Sequence, residues 1–249
     1  MSLNFNISPY YDDFNETKNF HRILFRPGYA VQARELTQLQ TQLQDQISKF
    51  GKHVFVNGSI VLGGGRLFEN DLVSIKLNSS YSGSAVTLSN FAGKTIQGST
   101  SGTIATVKTI AEINAAGDPK TLIVKIKSGG PFQAGENIVT TTGTVYTATI
   151  QSSNPFNTAM GFSIDSGIFF IDGKFVYLEA QNIAVSKYSN TTSHNIGLVL
   201  NESYMTSDDD ESLLDNAQET PNYAAPGADR YKASLTLTVK DLGRSEEHT

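Results

Sequence analysis

Apolar positions change their spacing twice along the chain. Leu36, Leu39, Leu43 and Phe50 recur at intervals of 3, 4 and 7, the period of one helix face. The spacing predicts a helix over 31–51, about 30 Å long and ended by Gly51 as a C′ glycine. From Val54 the period drops to two. "HVFVNGSIVLGGG" reads as two β-rich runs joined at Asn57-Gly58, and "SGIFFIDGKFVYLE" as a second hairpin turning at Asp172-Gly173, both strong hairpin signals. "RLFENDLVSIKL", "SAVTLSNF" and "NIGLVLNESYMT" add strands.

Three further stretches depart from this pattern. Residues 1–30 carry Phe5, Tyr10, Tyr11, Phe14, Phe20 and Phe25 with no sustained period. They read as an extended arm whose aromatics dock on another surface. Residues 96–153 contain short strands with glycine-rich turns, the signature of a small barrel. Residues 206–243 open with "SDDDE", read as a helix-start acidic cap before a short helix or turn at Glu211 to Asn216, and end in a strand from Tyr231 to Val239, the start of a following β element. The expected fold is mainly β with one N-terminal α-helix. A β-sandwich-like domain (52–95 plus 154–205) carries the inserted small β-barrel module (96–153), behind the extended N-terminal arm. The last six residues, "RSEEHT" (244–249), can be encoded by AGA TCG GAA GAG CAC ACG, the opening of a widely used sequencing adapter. They are read as an artefact following Gly243.

Composition sharpens the reading of the helix. Charged residues make up 17% of the 249, against roughly 25% in ordinary domains. Between Gln32 and Gln46 six glutamines stand beside only Arg34, Glu35 and Asp45. The apolar positions form a heptad seam in which Gln32 and Gln46 take d positions and Ile47 widens the stripe. Such a helix either associates with copies of itself or a partner helix, or lies on its own β domain. Uncharged amides suit a face buried only on assembly, because desolvating an unpaired charge is costly.

Little else carries chemistry. A net charge of −5 with scattered Lys and Arg provides no basic stripe for nucleic acid. The absence of cysteine removes thiolate and Cys-based zinc chemistry. His21, His53 and His194 show no metal-ligand spacing, and "GGG" at 63–65 reads as a bend rather than a phosphate cradle. Asp165, Asp172 and Glu179 could face one another, but the two aspartates sit at turns and no tryptophan offers a sugar platform. No enzyme, cofactor or membrane span is expected.

Residues 10–64, "YYDDF…KNFHRILFRPGYAVQARELTQLQTQLQDQISKFGKHVFVNGSIVLGG", resemble the N-terminal region of a family of tailed-phage virion structural proteins. These are baseplate or tail-fibre components, as in the contractile-tailed phages of cyanobacteria, and the domain has no assigned function. The matching residues are Phe25, Pro27, Gly28, Gln32, Glu35, Leu36, Gln40 and Gly58. "DNAQETPNYAAPGADRYK" (215–232) and the insert's "GSTSGTIATV" and "FQAGENI" are also similar to segments of phage tail proteins. The resemblance implies a virion structural subunit, made in the host cytoplasm, that assembles as a homotrimer and with other tail proteins. Phe20, Phe25, Gln32, Leu36, Leu39, Leu43, Gln46, Ile47 and Phe50 are the expected interface. The rival expectation is an adaptor for a carbohydrate-binding or depolymerising receptor protein, reaching host-surface glycans through a part beyond this chain.

Overall fold

The computed structural model describes residues 3–112, 117–219 and 221–241, so the "RSEEHT" residues lie outside the described part. In chain order, α1 (Ala33–Val54) precedes β1 (Ser59–Gly63), β2 (Arg66–Lys76), β3 (Ser80–Tyr81), β4 (Ser84–Ala85), β5 (Thr95–Gly98), β6 (Ile104–Ala111), β7 (Thr121–Ser128) and β8 (Asn137–Thr140). Then follow β9 (Thr147–Thr149), β10 (Phe156–Ile164), β11 (Gly167–Ile171), β12 (Lys174–Leu178), β13 (Gln181–Ser186), β14 (His194–Met205) and β15 (Arg230–Asp241). The protein is mainly β with one helix near its N-terminus, and its sheets are antiparallel.

The chain divides into two compact units. One takes Met1–Gly64, Ser166–Glu179 and Val199–Thr236; the other takes Gly65–Asp165, Ala180–Leu198 and Leu237–Thr249. The second unit is organised by an eight-stranded sheet of order β13-β10-β2-β7-β6-β5-β8-β9. Along β7, Leu122, Ile123 and Val124 are all fully buried, an unbroken apolar run because both faces of this central strand are covered. Leu122 and Val124 join Ile75, Phe91, Ile96, Ile138 and Ile150 in one core, while Ile123 packs on the other face with Leu72 and Ala159.

The sheet curls back on itself through one bridge, Leu77 to Ile150, around the larger core, but no closed barrel forms. Nor does the 96–153 segment stand apart as an insert. β2 pairs along its length with β10 and, from Val73 to Lys76, also with β7, so one strand carries both the expected host and the expected insert. "SAVTLSNF" supplies only the short β4 and a 3₁₀ turn at Leu88–Asn90. β15 is no separate element, since it pairs with β14 in a two-stranded ribbon.

In the first unit, β1, β11 and β12 form a three-stranded sheet of order β1-β11-β12. The Asp172-Gly173 turn joins β11 to β12 as expected, with φ of 47° and 75° at its two residues, the left-handed pair a type I′ hairpin requires. The Asn57-Gly58 turn does not join two strands. Only Gly58 takes positive φ (87°), with Ser59 N–H donating to Val56 O at 3.0 Å, as in a type II turn. Val54 ends the helix, so the turn links α1 to β1.

Candidate association surface on the helix and arm

α1 begins after Gln32, whose backbone N–H donates to the Glu35 carboxylate at 2.9 Å, a device that satisfies an otherwise orphaned terminal donor. Its end differs from expectation. The helix runs through Gly51 to Val54 and closes with Phe55 N–H donating to Gly51 O at 2.8 Å. Gly51 is there for close approach rather than as a C′ stop. A Cβ on it would lie 2.4 Å from Phe170 Cε2, and Phe170 itself packs with Phe55 and Phe175 at ring-centroid distances of 5.6 and 5.1 Å. Gly173 makes a second close contact, where a Cβ would meet Ser48 Oγ at 2.0 Å. The C-terminal turns of α1 are thereby seated on the β11–β12 hairpin.

The two long faces of the helix are used the wrong way round for a helix lying on its own domain. The polar face carries the arm. Thr41 Oγ1 donates to Asp12 Oδ2 at 2.5 Å, Gln38 donates to Asp13, Arg34 pairs with Asp13 at 3.3 Å, and Lys49 pairs with Glu16 at 2.8 Å. Asp12 is 6% exposed and also accepts from Phe14 N–H. Hydrogen bonds from Lys49 to Asp45 and Glu16 hold its ammonium above the ordinary value. The apolar face points outward: Leu36 is 54% exposed, Leu39 48%, Leu43 63%, Ile47 45%, Phe50 68% and Val54 55%. The described part of the chain leaves this stripe uncovered.

The arm divides into a docked and an exposed part. Phe5 meets the ring edges of Tyr204 and Tyr231, and Tyr10 stacks on Tyr204 at 5.3 Å. The Tyr10 hydroxyl donates to Asp229 Oδ2 at 2.6 Å, and that bond, helped by burial, pushes its pKa up to about 12. Further along, Phe20, Leu24, Phe25, Tyr29 and Val31 are all exposed.

Among the expected interface residues, Leu36, Leu39, Leu43, Ile47 and Phe50 therefore share the outward face. Gln32 precedes the helix with its amide oxygen accepting from Arg34 Nε at 2.6 Å. Phe20 and Gln46 meet in a small cleft of about 60 Å³ with Phe14, Gln42 and Lys49, while Phe25 sits apart on the exposed arm. The anchors Asp12, Asp13 and Glu16 were missed, although Arg34, Gln38, Thr41, Asp45 and Lys49 form a second, polar stripe at helical spacing that calls for complementary carboxylates.

Replacing Asp12 and Asp13 together by alanine strips this clamp. The Thr41 hydroxyl still donates to Thr37 O, and losing the hydrogen bonds to the arm costs about 1–2 kcal/mol, so trypsin cleavage at Lys18 is expected to speed up roughly tenfold if cleavage follows local opening.

Other sequence candidates fall to structural roles. Asp209 accepts from Thr206 N–H and hydroxyl at 3.0 and 2.9 Å, and Asp210 caps the 3₁₀ turn at Glu211–Leu213 through Ser212 N–H. Gly63 and Gly64 turn the chain after β1 with positive φ. Among the described residues, no group of three His, Cys, Asp or Glu could hold a metal ion, and no helix is long and apolar enough to cross a membrane.

No curated protein and no solved structure matches this chain. Residues 8–125 and 142–247 do match a family model described as a domain of unknown function, DUF4815. These two stretches hold the arm from Ser8, the whole of α1 and nearly every strand, and the chain belongs to the DUF4815 domain family.

Proposed function

We propose that this protein is a structural subunit of a bacteriophage tail, in the baseplate or the virion-proximal part of a tail fibre, and that it acts by protein–protein assembly. The observation that carries the assembly reading is the outward apolar face of α1. A clamp of hydrogen bonds and ion pairs seats the arm on the polar face and leaves the apolar face exposed. The tail context is supported by the similarity of residues 10–64 to virion structural proteins. Full burial of a large apolar side chain contributes about 1.5–3 kcal/mol, so covering the exposed half of six contributes on the order of 5–9 kcal/mol per copy. Association itself costs roughly 4–15 kcal/mol. One such contact is therefore weak alone, and stable assembly comes from several neighbours engaged at once.

Light scattering on the purified chain and capture of phage baseplate or tail proteins test the reading. The chain is expected to associate and to retain such proteins. Leu39→Ala and Leu43→Ala each weaken association by about fivefold, from the ~1 kcal/mol lost with a half-exposed leucine. A monomer that captures no tail protein overturns the proposal.

A further inference from the structure

We infer that the outward face of α1 pairs with the same face of a second copy, with the two helices parallel and in register. This rests on the association reading above and adds the partner and its direction.

Position along the helix supplies the first reason. Taking Leu36, Leu43 and Phe50 as a positions, the d positions within α1 are Leu39, Gln46 and His53, with Gln32 the residue just before the helix. Of the residues the arm holds, Arg34 and Thr41 fall at f and Gln38 at c, away from this seam, while Lys49 falls at g on its flank. The arm thus holds the side a coiled coil leaves free, and frees the side a coiled coil uses.

Direction follows from Gln46. In parallel packing like positions share a layer, so Gln46 meets Gln46, and each amide both donates and accepts. In antiparallel packing each d residue faces an a residue. Every a position in α1 is Leu or Phe, so Gln46 would face an apolar side chain whatever the register, its amide desolvated without a partner. An apolar groove on an unrelated partner would do the same. The flanks agree. In parallel register Glu35 lies beside Gln40 of the second copy and Lys49 beside its Val54, so no like charges are opposed.

Area is sufficient for a specific contact. With about 200 Å² for a large side chain, the exposed halves of the six apolar residues present roughly 600 Å² per copy, against about 800 Å² per partner in a standard interface. The intervening glutamines narrow the difference.

The chain has no native cysteine, which makes a direct test available in the whole protein. Leu36→Cys, Phe50→Cys and a control off the seam, Gln44→Cys, are oxidised separately, with light scattering on each. Residues 36 and 50 are about 21 Å apart along the axis, so no antiparallel arrangement brings both 36 to 36 and 50 to 50. Parallel register is expected to cross-link both variants roughly tenfold faster than Gln44→Cys, because a disulfide needs Cα atoms within about 4.4–6.8 Å. Copies that associate while only one variant, or neither, cross-links overturn the parallel register and leave the association reading standing. Copies that remain monomeric overturn the pairing altogether, and capture of tail proteins then decides the proposed function separately.

Discussion

Replacing Glu136 by alanine is expected to destabilise the eight-stranded unit by about 3 kcal/mol, the scale of leaving buried donors without acceptors. Glu136 is 5% exposed. Its Oε2 accepts from Thr100 and Ser101 N–H, both at 2.9 Å, and its Oε1 accepts from Gln133 N–H at 2.6 Å and Ser101 hydroxyl at 2.8 Å. The carboxylate ties the loop after β5 to the turn before β8, and Gly98 makes room for it, since a Cβ there would lie 2.7 Å from Oε2. Glu136→Gln is no rescue. Whichever way the amide is turned, its NH₂ confronts N–H groups that need an acceptor. Burial by itself would raise this carboxyl, but donors from Ser101, Gln133 and Thr100 outweigh it and hold it below the ordinary 4.5. A depressed folded value means the contribution is complete above the unfolded value and is lost as pH falls through the folded one. Urea denaturation of the wild type should therefore show stability declining below pH 4.5, and Glu136→Ala should flatten that decline. A pH profile unchanged by the substitution would show that the carboxylate contributes nothing.

Phe170→Ala is expected to cost about 3–5 kcal/mol, the range for truncating a buried phenylalanine, and to release α1. The side chain is 1% exposed and is what Gly51, Phe55 and Phe175 share. Gly51→Ala tests the same contact from the helix side, with two effects of opposite sign. Alanine favours a helix by about 1 kcal/mol over glycine. Against this, a Cβ 2.4 Å from a buried ring forces the overpacking strain of about 1–3 kcal/mol. Strain wins because the ring is enclosed, so thermal unfolding should shift downward for both variants. Hydrogen exchange of the α1 amides should quicken in both. A Gly51→Ala protein more stable than wild type would mean that the helix is not seated on Phe170.

What could be read in advance followed from local chemistry. Asp172-Gly173 specifies its hairpin because both residues tolerate positive φ and strands flank it directly. The helix was legible in the spacing of Leu36, Leu39 and Leu43, and mainly β content in the alternation beyond Val54. What could not be read depended on partners distant in sequence. Gly51 looks like a stop until Phe170 is placed against it. Asn57-Gly58 looks like a hairpin because nothing local shows the helix running on to Val54. The spacing of the apolar stripe is the same whether it faces in or out, and only Asp12, Asp13 and Glu16, more than twenty residues from their partners on α1, settle which. The division at 96–153 misled for a related reason: a change in composition marks a change of local character, not an end of hydrogen bonding.

The eleven residues of β2 make that last point concrete. A cassette that can be removed or exchanged must take both of its edges with it, leaving the host sheet paired. Here excision of 96–153 would remove β5 through β9 and strip one side of β2 from Val73 to Lys76 while β10 still held the other. The remnant would carry an open, apolar edge beside Leu72 and Ile75, a template for pairing with any passing strand. Strands on either side of β2 are thus committed to one another, and grafts into this protein belong in its turns rather than across its apparent module boundaries.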